Sequence, residues 1–371
     1  MLKKILAIGG IICILCSGCA SNAEKENASE TSAEDQKEEN HDATASSFQL
    51  YEPEIDYESN TVKIHDLVSN DLAGTITCRQ DEQLVTALEV DDGFAVVKKS
   101  TDESGTAKEY ENGGLVVTTD EDGSGSWTEY ALELYDFDLN MVKSISLLDY
   151  IDQDKAEIHG DPVISRNAEK IAWLTDDSIY YIDLAAEKSC FVDALSQENI
   201  VSVQIAFAGN DKIGFYGSQG ITETDTCYGF LNLEDQSVSA HIAKDYQAGT
   251  LLTNDRYVCI NDAQDPYTNK SSGKIQILDC KTNEAREVQV DGLESTFSVI
   301  TEDGKMLISI KWDEENSFRI RNYDMDTMDV LYETTCKKDE AVRPFEIKKA
   351  GDEYVVVYLS SEWGYVYAAD H

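Results

Sequence analysis

Residues able to do acid–base, nucleophilic or metal chemistry are plentiful in this chain, and their spacing decides what they can do. The five histidines, His41, His65, His159, His241 and His371, are scattered, and no HxxxH or HExxH pair places two imidazoles on one metal. They read as surface or strand residues. Gly217-Ser218-Gln219-Gly220 lacks the GxSxG sequence that lifts a serine nucleophile onto a strained elbow, and no glycine loop that could cradle phosphate occurs. Asp120, Asp122 and Ser124 occupy positions one, three and five of a calcium loop, with Gly123 and Gly125 at four and six. Position twelve is Ala131, where such a loop needs a bidentate glutamate. Calcium near Asp120 and Asp122 is therefore a partial match, and no other cofactor is expected. With 72 acidic residues, some carboxylate pair at roughly 5 to 10 Å is inevitable. A glycan-active hydrolase or lyase using such a pair in a central funnel stays open as an alternative, but no catalytic residue is assigned.

The other reactive residue is a thiol, and its surroundings give it an address. Lys3 and Lys4 precede an uncharged stretch from Ile5 to Leu15, followed by Cys16-Ser17-Gly18-Cys19. The stretch is far shorter than the roughly 20 residues of a spanning helix and ends in small residues, the layout of a cleaved secretory signal. Ser17, Gly18 and Cys19 also resemble the lipobox of bacterial lipoproteins, in which the cysteine accepts lipid. Here Cys16 stands where that motif usually has leucine. The resemblance implies residues 1–19 as signal and lipobox, acylation (palmitate among the chains) at Cys19, and a cell-membrane location facing outside the cytoplasm.

Between 20 and 47 there is nothing large and apolar, only small and polar residues with eight acids and two lysines. Such a segment cannot bury enough surface to offset its ordering entropy, so it reads as a disordered acidic linker. Removing the signal leaves 28 basic against 72 acidic residues, a formal charge of −44. That excludes nucleic acid and anionic lipid faces as partners and favours cationic ones. Six cysteines lie beyond Cys19, with no CxxC or clustered spacing, so disulfides are permitted by the compartment but not implied, and most read as buried thiols.

From 48 to 371 short runs of β-branched and aromatic residues alternate with Asp, Asn, Gly and Ser clusters, an all-β pattern. A strand ending in Asp or Asn flanked by apolar residues recurs at Asp66, Asp136, Asp183, Asn232, Asp279 and Asp324, with a possible seventh at Asp370. The intervals after Asp136 are 47, 49, 47, 45 and 46 residues; the first, 70, holds an insertion at Lys99 to Trp127. Four strands per 45 residues is the spacing of propeller blades. The marker side chain is expected to bond the backbone of the turn between third and fourth strands. Six first strands and six second strands favour six blades, with the two chain ends sharing one blade; seven markers keep seven possible. The pattern resembles TolB-like and WD-repeat-like β-propellers of bacterial envelope lipoproteins, an architectural likeness that carries no activity.

Asp122, Ser126 and Trp127 are also similar to part of the sialidase Asp-box. It appears once, and the seven arginines are too dispersed for a carboxylate-binding cluster. What remains is the rim. Loops joining second to third strands are expected on one face and connections between blades on the other. Tyr267, Trp312 and Trp363 fall in or beside these loops, next to Asp265, Asp313 and Glu362. Exposed aromatics flanked by acids suit sugar faces or basic peptides. The sequence thus reads as a lipid-anchored, non-enzymatic binding or scaffold module, with an envelope protein, a basic peptide or a glycan as partner; an accessory subunit of an envelope complex is the further alternative.

Overall fold

A computed structural model of the chain describes residues 49–369 except 103–117, 120–124, 148–149, 151–158, 175–177, 193–199, 220–224, 247, 263–272, 291–292 and 294–297. Cys19, Asp120, Asp122, Asp265, Tyr267 and Asp370 lie outside the described residues, as does the side chain of Asp313.

The described residues form seven antiparallel sheets. Blade one has Tyr51–Asp56 (β1), Thr61–Asp66 (β2) and Asp71–Thr77 (β3). Blade two has Glu82–Val90 (β4), Gly93–Asp102 (β5), Thr118–Thr119 (β6), Gly125–Tyr135 (β7) and Met141–Ser146 (β8). Here the insertion lengthens β5 and β7, which pair as far as Asp102 with Trp127, while β6 adds to the tip of β7. Blade three is His159–Ile164 (β9), Lys170–Leu174 (β10), Ile179–Asp183 (β11) and Lys188–Val192 (β12). Blade four is Ile200–Ala208 (β13), Lys212–Gln219 (β14), Thr226–Asn232 (β15) and Val238–Ala243 (β16). Blade five is Ala248–Thr253 (β17), Tyr257–Asp262 (β18), Lys274–Asp279 (β19) and Glu284–Gln289 (β20). Blade six is Ser298–Ile300 (β21), Met306–Glu314 (β22), Ser317–Asp324 (β23) and Val330–Lys337 (β24), and blade seven is Arg343–Ala350 (β25), Glu353–Leu359 (β26) and Trp363–Tyr367 (β27).

The markers do what their chemistry predicts. Asp66 Oδ1 accepts the N–H groups of Val68 and Ser69, Asp183 Oδ1 those of Ala185 and Ala186, and Asp324 Oδ1 those of Asp326 and Thr327. Each such turn closes through a left-handed residue: Asn70, Glu187 and Met328 have φ of 58°, 52° and 60°.

The count is seven, the alternative the markers allowed, and the two ends do not merge into a shared blade. The segment that sequence reasoning passes over is Tyr51-Glu52-Pro53-Glu54-Ile55-Asp56, whose proline and acids do not look like a strand. Leu67 N–H donates to Leu50 O, so the backbone groups of 50, 52, 54 and 56 face β2 and those of 51, 53 and 55 face the opposite edge. Pro53 therefore points its missing donor at an unpaired edge, where a strand tolerates proline. By its marker, β2 is a third strand, so blade one lacks an innermost strand; by the same logic blade seven lacks an outermost one among the described residues.

The expected division of the faces needs correction. Each strand in a blade reverses the one before it, so first-to-second and third-to-fourth turns share one face, here the turn face. Second-to-third loops and the connections between blades share the other, the loop face. Apolar residues fill the spaces between sheets. The innermost strands β4, β9, β13, β17, β21 and β25 surround a central funnel of about 770 Å³ that opens on the turn face.

Candidate functional site

The pairing of β25 with β26 slips between Pro344 and Glu346, leaving Phe345 as a bulge. A bulge re-aims its side chain, and Phe345 stands 39% exposed. Its ring meets Trp363 edge-on, with centroids 5.1 Å apart and planes at 81°. Trp363 in turn lies 5.4 Å from His65 of blade one. His65 Nε2 is 2.7 Å from Glu54 Oε2, and Asn70 donates to Glu362 Oε2 at 2.8 Å. The result is an aromatic cleft between the last and first blades, with Glu54 and Glu362 at its edges as acceptors.

Of the residues singled out in the sequence, the structure brings Trp363 and Glu362 into this cleft. Trp312 lies on β22 of the neighbouring blade, 47% exposed, and among the described residues it is not part of the Phe345–Trp363–His65 ring group. Phe345, His65 and Glu54 escape sequence reasoning. Phe345 sits in a run that reads as an ordinary first strand, and the pairing of blade seven with blade one is a matter of ring closure.

The funnel holds a second cluster. Lys348 donates to the Tyr51 carbonyl and has Glu346 Oε1, Glu52 Oε2 and Glu89 Oε2 within 2.8, 3.0 and 3.4 Å. The contact to Glu52 is an ion pair whose angle misses hydrogen-bond geometry. Burial pushes the Glu52 and Glu89 carboxyls above the usual range, and Lys348 pulls them back. A raised carboxyl is what an acid catalyst needs. Glu52, however, is only 3% exposed, and Lys348 occupies the space between it and the funnel's other acids. This arrangement binds blades seven, one and two together and also satisfies the carbonyl that the missing strand leaves unpaired. A third ionic group, Lys98 at 2.5 Å from Glu133 with Tyr135 donating to the same carboxylate, is buried between blades one and two.

All six cysteines among the described residues are free, with Cys78, Cys227, Cys259 and Cys280 buried. Among the described residues no group of three His, Cys, Asp or Glu side chains could hold a metal ion.

No family model matches the chain, and no curated protein matches it. Solved structures do. Hsv2 of Kluyvelomyces marxianus is 9% identical over 74% of this chain and 73% of that chain, with a TM-score of 0.44. A chain of the mitotic checkpoint complex is 10% identical, and the match covers 95% of this chain and 99% of that one with a TM-score of 0.51. At that identity the likeness concerns fold alone. With its seven antiparallel sheets, the chain folds as a seven-bladed β-propeller.

Proposed function

We propose that this propeller is a non-enzymatic binding module, held by lipid on Cys19 outside the cytoplasm, that recognises a basic segment of an envelope protein through the Phe345–Trp363–His65 cleft. The observation that carries the reading is the Phe345–Trp363 pair beside blade one, with Phe345 exposed, Trp363 half-buried and acceptor carboxylates at its edges. Flat rings beside carboxylates attract ammonium and guanidinium groups by cation–π and ionic contact, and a net charge of −42 steers cations toward the surface.

The test is a thermal-shift series on the full chain with Lys- and Arg-rich peptides, cell-wall fragments and oligosaccharides. A basic peptide at about 100 times its dissociation constant adds about 2.7 kcal/mol to stability, and Trp363→Ala removes that shift. A shift that persists in both Trp363→Ala and Phe345→Ala rules the cleft out, while a response to oligosaccharides alone moves the ligand class to glycans. The anchor is tested separately: labelled palmitate is incorporated by the wild type and not by Cys19→Ser, and equal incorporation by both refutes it.

A further inference from the structure

The contacts between blades repeat a simple device. At the five interfaces from blades one and two to blades five and six, the residue two before a marker on one blade shares a hydrophobic cluster with the residue one before the marker on the next. These pairs are Ile64 with Tyr135, Leu134 with Ile182, Tyr181 with Leu231, Phe230 with Leu278, and Ile277 with Tyr323, each within a single interblade cluster. Every pair consists of two large side chains with apolar bodies, and together they fill the gap near the turn face.

At the interface of blades six and seven both partners are replaced. The residue on blade six is Asn322. Its counterpart on blade seven is set by cross-strand position: Tyr135, Ile182, Leu231, Leu278 and Tyr323 pair with the second residue of their second strand, which on blade seven is Tyr354. The residue whose N–H bonds Tyr354 O in the same way is Ala368. Amide and methyl thus stand where two bulky groups belong, and a pocket of about 340 Å³ opens there. That is the lower end of the range for small-molecule sites.

The pocket has chemistry as well as room. Asn322 is 1% exposed and lines it. Its Nδ2 donates to Ala368 O at 2.9 Å, which fixes the amide's orientation, and Oδ1 has no hydrogen-bond partner in the protein. A buried acceptor left unmatched costs about 1–3 kcal/mol, so it calls for a donor. Met306, Ile308 and the Tyr354 ring supply apolar walls, the Tyr354 hydroxyl being tied by the Glu302 N–H at 2.7 Å. Glu302, Asp303, Asp352 and Glu353 line the remainder with Lys349 as the lining cation; Glu302 already pairs with Lys349 and Arg166, and Asp303 with Lys305 at 2.8 Å, while Asp352 and Glu353 supply further negative charge.

We infer that the pocket between blades six and seven, framed by Asn322 and Ala368, binds a small organic cation, an alkylammonium or guanidinium group whose N–H meets Asn322 Oδ1. This site is on the turn face and independent of the aromatic cleft.

Calorimetric titration of the full chain with butylammonium and agmatine, and with 1-butanol as the neutral control, tests it. At least one cation is expected to bind, and butanol about tenfold or more weaker. Ala368→Leu and Asn322→Leu, which restore the side-chain type found at the other interfaces, each weaken cation binding by about tenfold or more. Because Trp363→Ala leaves this binding intact, failure of the cleft and failure of the pocket are read separately. Thermal melting identifies which variants fold, and either folded variant suffices. Absence of binding by both cations, butanol binding as well as they do, or cation binding unchanged in a folded variant overturns the proposal.

Discussion

The interfaces between successive blades and the seam between the last and the first perform one task by different chemistry. Where blades follow one another along the chain, pairs such as Phe230 and Leu278 pack apolar surface near the turn face. At the seam neither blade has four strands among the described residues, and the ring is joined by Leu50, Leu67, Val355 and Val357 on one side and Lys348 on the other. Apolar packing is forgiving of small errors because it has no direction. An ammonium among three carboxylates and a carbonyl is not, because removing it strands buried charge. The seam is therefore the place where one side chain carries the most.

Lys348→Met is the severest way to break that comparison. With Glu52 deprived of its counter-ion, the loss in chemical unfolding should be about 3–5 kcal/mol; a loss below 1 kcal/mol (order of magnitude of an exposed pair) would make the seam an ordinary contact. Next in size is its pH dependence. Glu52 and Glu89 have folded values raised above their unfolded ones by burial, so their protonation favours the folded state, and their contribution to stability grows as pH falls from neutral toward the ordinary carboxylate range. Without Lys348 they rise further, so the variant's deficit should shrink between pH 7.5 and pH 5 (about one decade above the unfolded carboxyl value). A deficit independent of pH would detach the two carboxyls from Lys348.

The smallest effect belongs to the regular part of the ring. Glu187, exposed in the marker turn of blade three, holds a φ of 52° that L-residues adopt at a cost. Glu187→Gly should stabilise by about 0.5–1 kcal/mol. The same gain should appear in the Lys348→Met background, since distant sites add; a gain that differs by more than about 0.5 kcal/mol would show that the turns and the seam are coupled.

Much of the fold is legible in the sequence because it is local. An Asp that caps its own turn, followed by strands of alternating burial, leaves the same trace wherever it occurs, and the insertion between Lys99 and Trp127 changes length without disturbing that phase. The N-terminal blade is less legible. Pro53 argues against a strand unless the strand is known to have an unpaired edge, and that edge exists only because the ring closes around it. The cleft and the pocket depend on the same long-range geometry. Trp363 and Glu362 can be picked out by type and position, but Phe345 and His65 become their neighbours only through closure. Asn322 and Ala368 look unremarkable until they are set against the residues that occupy their places in the other blades.

The buried thiols carry a consequence of another kind. Burial raises the Cys78 thiol to about 11 and that of Cys280 to about 12, and raises Cys259 as well. Since the thiolate is the reacting form, these sulfurs are almost inert while the sheets stay stacked. They pack in different interfaces, Cys78 between blades one and two, Cys280 between four and five and Cys259 between five and six, so the order in which they yield to an alkylating reagent would be a stopwatch record of how the ring comes apart, interface by interface.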